Sequence, residues 1–191
     1  MIDYAKLKQW SFPDVVQTYS AKDSMLYALG VGLGHDPMDA QQLQFVYEKN
    51  LLTLPTMAVV MGYPGFWMKH PDSGIDWVKL VHGEQSLTLH QPLPQAGTVI
   101  GRSRVTGIVD KGAGKGALVY QERTLHNQAD GALLATMGHV TFCRGDGGFS
   151  DHPNNGPKGG DAQQPARPAT PDTTDRKSTR LNSSHVKRSR M

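Results

Sequence analysis

In the second half of the chain four long runs, residues 80–91, 98–109, 116–127 and 133–143, are dense in Val, Leu, Thr and Tyr. Within the first of them Ser86-Leu87-Thr88-Leu89 alternates polar and apolar side chains, the period of a strand with one buried face. Glycine-containing breaks at Pro92 to Gly97, Lys111 to Gly116 and Asn127 to Gly131 separate the runs. Strands joined by connections this short pair antiparallel. In the first half, Ser20 stands three residues before Asp23 and ahead of the apolar run Met25 to Leu29, which predicts a capped helix; Gly30, Gly32 and Gly34 end it. Leu43 to Tyr47 alternates briefly and predicts a short strand. Pro55 suits the first turn of a second helix, and Met57 to Met61 make that helix apolar on nearly every side, the mark of burial. One apolar helix followed by a long meander predicts an α+β arrangement, with an antiparallel sheet curled round a central helix.

The pattern stops near residue 145. Beyond it Gly, Pro, Asp, Asn, Ser and Arg dominate the chain of 191 residues, and such a segment cannot bury enough apolar surface to offset its ordering entropy. The expected organisation is one domain over residues 1–149, long enough to enclose a core, and a disordered linker and tail over 150–191.

Charge follows the same division. The chain carries a formal +3, but residues 1–150 hold 12 Lys/Arg against 13 Asp/Glu, whereas residues 151–191 hold 8 against 4. The basicity belongs to the tail, where no aromatic residue is interleaved for base stacking, so no nucleic-acid partner is expected. Cys143 is the single cysteine; with no disulfide framework a reducing compartment is expected, and the thiol reads as packed rather than nucleophilic. The N-terminus lacks the apolar run of a secretory signal. Pro55, Gly62, Pro64 and Gly65 interrupt the apolar stretch at 51–68, so no membrane span is expected.

Several separated motifs carry a resemblance. Tyr27-Ala28-Leu29-Gly30-Val31-Gly32, Phe45-Val46-Tyr47-Glu48, Leu54-Pro55-Thr56, His82-Gly83-Glu84-Gln85, Pro92-Leu93-Pro94 and Asp110-Lys111-Gly112-Ala113-Gly114 occur in that order. In this order they resemble the N-terminal half of a MaoC-like, (R)-specific 2-enoyl-CoA hydratase of the hydratase 2 type, over roughly residues 1–149. The resemblance implies a hot-dog fold, half of a double hot-dog chain. It also implies an acyl-CoA substrate, with coenzyme A as part of the substrate and no separate cofactor or metal, and a place in fatty-acid β-oxidation or steroid side-chain oxidation. It further implies that His82, Gly83 and Lys111 touch the acyl-CoA. The residue types fit: Gly83 keeps no side chain between a ligand and the backbone, His82 offers a donor, and Lys111 is a compact cation suited to a phosphate. Residue chemistry alone leaves a satisfied strand-end histidine and a solvated turn lysine open as alternatives.

Lys111 to Gly116 lacks the spacing of a nucleotide P-loop and is flanked by strands, so an NTPase is excluded. Family hydratases carry Gly-Asp-x-Asn-Pro-x-His in their second half, where the acid and the histidine supply general acid–base help. Gly145-Asp146-Gly147 and Gly160-Asp161-Ala162 do not continue in that way. No catalytic residue is therefore named, and the chain is expected to be inactive alone. Residues 175–185, Asp175 to His185, resemble one frame of a sequencing-library adapter, with an ordinary basic tail as the alternative. The adapter reading implies a frame cut in the linker between two hot-dog halves. Ser189-Arg190-Met191 loosely resembles a peroxisomal tripeptide and is discounted on the same ground. The expected compartment is the cytoplasm, or the peroxisome in a eukaryote. A non-catalytic acyl-CoA-binding module is the alternative function, and a thioesterase is a weaker third. Long strands with few central charges predict unblunted edges, hence a homodimer or other self-association.

Overall fold

The computed structural model describes residues 1–161. Five strands form one antiparallel sheet: β1 (Val15–Tyr19), β2 (Leu80–Leu89), β3 (Gly97–Asp110), β4 (Ala117–Asn127) and β5 (Leu133–Cys143), in the order β1-β3-β4-β5-β2. The four expected runs are all strands, joined as a meander through β3, β4 and β5. β1 is a fifth strand that the patterning did not announce; its Val-Val-Gln-Thr-Tyr run pairs Val15 with Gly101 and Tyr19 with Gly97.

Three short helices precede the long strands: α1 (Tyr4–Lys8), α2 (Ala21–Gly30) and α3 (Ala40–Leu43). The predicted cap of α2 is present in both directions. The Ser20 N–H donates to Asp23 at 2.8 Å, and the Asp23 N–H returns to the Ser20 hydroxyl at 3.4 Å. Leu43 to Tyr47 is not a strand. Asp39 caps α3 by accepting from the Gln41 and Gln42 N–H groups at 2.9 and 3.2 Å, and turns follow. Among the described residues no neighbouring strand is there to pair with, so the local cap decides the conformation.

The apolar segment after Pro55 lies against the sheet as expected, but as a 3-10 helix, Pro55–Val60, rather than a long central helix. Met57, Ala58 and Met61 are buried while Val60 is 54% exposed, so one side only faces the sheet. Gly62, with φ of 60°, ends the segment and meets Gly101 of β3 backbone to backbone; a Cβ on either residue would run into the other.

On the covered face of the sheet the core divides. One cluster gathers Leu7, Ile108, Val119, Cys143 and Phe149; the other gathers Met57, Val99, Leu125, Leu134 and Met137. Between them the same face carries Gln121, Arg123 and His139, because β4 keeps its alternation from Ala117 to Leu125 and β5 from Ala135 to Cys143; Leu134 joins the second cluster where the register shifts beyond Leu125. That polar band is the site described below.

The chain stays on the domain beyond residue 149, where sequence reading placed the start of a disordered tail. The Asn155 side chain accepts from the Tyr4 N–H and donates to the Ile2 carbonyl, both at 2.8 Å. Asp161 accepts from the Ile108 N–H at 2.9 Å and from Lys8, and Gly160 bridges to Val109. Residues 150–161 are thus held by polar bonds to backbone, which hydropathy does not register. The expectations for the rest of the tail, including 175–185, lie outside the described residues.

Candidate functional site

His82 enters the covered face through a bulge. It stands opposite Thr141 of β5, Glu84 stands opposite Val140, and Gly83 is the extra residue between them. A Cβ on Gly83 would come within 3.0 Å of the Val140 carbonyl oxygen, so the glycine first serves the strand, letting β2 stay close to β5 through the bulge. The bulge also sets the His82 ring edge to face against His139, with centroids 4.5 Å apart.

Around these two rings lies a cleft of about 210 Å³. Its apolar walls come from Tyr63, Phe66, Trp67 and Met68 of the connection before β2, with Met137 from β5; Gln85, Gln121, Arg123 and Thr141 add polar groups from the sheet. The Trp67 indole N–H donates to the Gln121 side chain at 3.2 Å. The His139 ring contacts Gln85 at 3.3 Å, and burial, with His82 and Arg123 nearby, pushes its pKa below the usual histidine value. Arg123 donates to the Val59 carbonyl and packs over the Tyr63 ring with 5.6 Å to the centroid. Burial lowers its pKa, yet a guanidinium stays charged.

Lys111 is not part of this cleft. It begins the turn from β3 to β4, its N–H donating to the Gly116 carbonyl at 3.0 Å. Its ammonium lies 5.4 Å from the centre of the Phe142 ring, and Phe142 alternates with Thr141 and Cys143 and therefore faces away from the cleft. His82 and Gly83 come together; Lys111 lies on the opposite face of the sheet. Its neighbour Asp110 is a structural anchor. The buried carboxylate accepts from the N–H groups of Gly112, Gly148 and Ser150 at 2.8, 2.7 and 2.7 Å. Burial alone would raise its pKa, but these bonds together bring it below the usual value.

Asp146 of the first Gly-Asp pair is likewise engaged by protein. Both carboxylate oxygens accept from the Asp76 N–H at 3.2 Å, and burial pushes its pKa up. Cys143 is fully buried with its thiol pushed up to about 12, as a packed residue should be. Among the described residues no group of three His, Cys, Asp or Glu side chains could hold a metal ion, and no helix is long and apolar enough to cross a membrane.

Sequence reading missed Arg123, Gln121 and His139. A signal was available: counted in steps of two from Ala117 and Val119 toward Leu125, the core-facing positions of β4 fall on Gln121 and Arg123. Polar residues in the apolar phase of a strand mark a site or a fault.

Comparison with known proteins gives the family and the fold. The chain is 34% identical to "Enoyl-CoA hydratase 2, peroxisomal" of Arabidopsis thaliana over 146 residues, covering 73% of this chain and 47% of that protein. It resembles the solved full-length peroxisomal multifunctional enzyme type 2 of Drosophila melanogaster, with a TM-score of 0.56 and 28% identity over 84% of this chain and 26% of that one. A MaoC-like dehydratase from Phytophthora capsici superposes with a TM-score of 0.68 at 23% identity, over 90% of this chain and 57% of that chain, which shows the hot-dog fold. The chain spans about half the length of the single hydratases it matches. Residues 17–145 match the family model of the MFE-2 hydratase 2 N-terminal domain, and the chain belongs to that family.

Proposed function

We propose that the chain is the acyl-CoA-holding half of an (R)-specific enoyl-CoA hydratase, the hydro-lyase that adds water to trans-2-enoyl-CoA and yields (R)-3-hydroxyacyl-CoA in fatty-acid or steroid side-chain oxidation. One observation carries the reading: the bulge at Gly83 sets His82 at an aromatic and apolar cleft beside an exposed strand. In this reading the cleft takes the acyl group and His82 and Gly83 meet the ligand at its mouth. Lys111, on the opposite face, contacts a phosphate of the coenzyme as the thioester passes the end of the sheet. The general acid and base belong to a Gly-Asp-x-Asn-Pro-x-His element that these 191 residues do not contain, so the chain binds without turnover. The cytoplasm, or the peroxisome named for the Arabidopsis relative, is the compartment proposed. β2 ends the sheet with one edge unpaired among the described residues, and we assign that edge to a second copy or a second hot-dog half.

Calorimetric titration with crotonyl-CoA, longer 2-enoyl-CoA thioesters and free coenzyme A tests the reading, together with a hydration assay. Thioesters should bind more tightly than free coenzyme A and give no measurable hydration. Failure to distinguish a thioester from free coenzyme A removes the acyl-holding role; turnover at the rate of an ordinary enzyme removes the claim that the chemistry lies elsewhere.

A further inference from the structure

Among the described residues Arg123 is the one arginine of β3 and β4 without a carboxylate partner. Arg102 pairs with Asp14 at 3.0 Å and Arg104 with Glu122 at 2.7 Å, both near the surface. Arg123 is half-buried, spends one nitrogen on the Val59 carbonyl and the Met137 sulfur, and leaves its Nε buried with no hydrogen-bond partner. Directly across the ladder, the Ser103 hydroxyl is likewise buried and unpartnered. None of the residues lining the cleft is acidic. A cation taken out of water without a counter-charge is costly, and the fold positions this one deliberately, in the core-facing phase of β4 and between two apolar clusters. The Tyr63 ring gives only partial compensation. What the described residues do not supply is an anion.

Resting on the acyl-CoA reading above, we propose that the cleft selects acyl groups bearing a carboxylate remote from the thioester, with Arg123 as the residue that receives it. A planar guanidinium matches a carboxylate in both charge and geometry, while Tyr63, Phe66, Trp67 and Met137 accommodate the methylenes between the two ends. The walls argue against a phosphate of the coenzyme as occupant, because an aromatic and thioether lining suits a chain rather than a hydrated dianion.

The test compares octanoyl-CoA, its counterpart with a carboxyl group at the far carbon, and free coenzyme A, by calorimetry on the 191-residue chain. The carboxylated thioester should bind about tenfold more tightly than octanoyl-CoA, as a charge-assisted pair requires. Arg123→Met should abolish that preference while octanoyl-CoA still binds, and Arg123→Lys should restore part of it. The wild-type comparison needs no variant to fold. Equal or tighter binding of octanoyl-CoA overturns the proposal and leaves the acyl-CoA reading standing. If Arg123→Met weakens free coenzyme A as much as the thioesters, Arg123 reads a phosphate and the proposal is also overturned. If neither thioester binds better than free coenzyme A, the acyl-CoA reading falls, and the proposal with it.

Discussion

His82 of β2 and His139 of β5 meet edge to face, ring centroids 4.5 Å apart and planes at 84°, with Arg123 lining the same cleft. Burial is the largest cause that lowers the pKa of His139, and the neighbouring His82 and Arg123 add to it. The sign of the resulting pH dependence follows. Above the unfolded value of about 6.5 neither state holds the proton, and His139 leaves stability unchanged. Below it the unfolded chain binds the proton first, so stability declines until the folded value is passed. Urea midpoints should therefore fall between pH 7 and pH 5.5, and His139→Gln should flatten that fall. An identical slope in the variant would show that another group controls it.

Asp110 joins the end of β3 to the Gly148–Ser150 segment through three backbone N–H groups. Asp110→Ala leaves those donors without an acceptor, and at about 1–3 kcal/mol for each one that stays buried the loss should reach about 3 kcal/mol even after water reclaims some. Asp110→Asn, which keeps one acceptor oxygen, should lose less. Burial works to raise the carboxyl's pKa, but the hydrogen bonds hold it below the usual range. Its stabilisation is therefore present above the unfolded value of about 3.9 and fades as pH falls through the folded value. Denaturant unfolding of the two variants at pH 7 and pH 3.5 measures both effects; a loss below about 0.5 kcal/mol at pH 7, the range of ordinary surface changes, would contradict the anchoring role.

Lys111 separates binding from folding. Its ammonium touches the Phe142 ring and is otherwise exposed, so Lys111→Ala should change stability by no more than about 0.5–1 kcal/mol, the range of an exposed cation–π contact. If the ammonium meets a phosphate of the coenzyme, the same variant should weaken thioester binding by about 1–2 kcal/mol. Unchanged affinity in calorimetry would return Lys111 to the role of a turn residue.

The parts of the fold that were legible in sequence are those set by local chemistry. Ser20 and Asp23 form a cap from residues three apart, and the Pro- and Gly-rich breaks place four strands within a residue or two. The parts that were not legible depend on distant partners. β1 exists because β3 offers an edge at Gly97–Gly101, and nothing within Val15–Tyr19 says so. Leu43 to Tyr47 has a strand's alternation and no partner strand among the described residues. Of the candidate site, His82 and Gly83 were named by resemblance, and the structure sets them at the cleft; Arg123 and His139 become visible only once the phase of β4 and β5 is counted from their buried ends. Residues 150–161 illustrate the opposite failure: Asn155 and Asp161 hold them by side-chain hydrogen bonds in a stretch whose hydropathy predicts nothing.

Gly101 and Gly62 support the placement of the 3-10 segment over the sheet. A Cβ at position 101 would run into the Gly62 carbonyl and lie 2.7 Å from its Cα, and both neighbours are backbone that cannot rotate away. Gly101→Ala should destabilise by about 1–3 kcal/mol, the usual cost of overpacking, and should widen the cleft by pushing Met61 and Tyr63 outward. Thr18→Ala on the neighbouring strand, which removes a surface hydroxyl pair with Thr98 at 2.9 Å, is the matched control and should cost less than 1 kcal/mol. Equal losses in the two variants would show that the glycine contact is not special.

Association should follow the free edge of β2. Leu80 to Leu89 is bound to β5 on one side, and among the described residues the sheet order ends there. The strand is ten residues long, and Glu84 is its only formally charged side chain. Val81 is 45% exposed on it, and Val78, just before it, is 73% exposed. The other edge, β1, is five residues and offers a much shorter template. Long, weakly charged edges invite pairing with another chain, and a two-fold arrangement would let β2 of one copy lie beside β2 of the next and continue the sheet. Sedimentation velocity at micromolar concentration should show a dimer or larger species. Val81→Lys and Thr88→Lys together, which put ammonium groups on that edge, should shift the distribution toward monomer without lowering stability by more than about 1 kcal/mol. A wild-type chain that sediments as a monomer across the concentration range would mean that the β2 edge is covered, and the proposed pairing would be withdrawn.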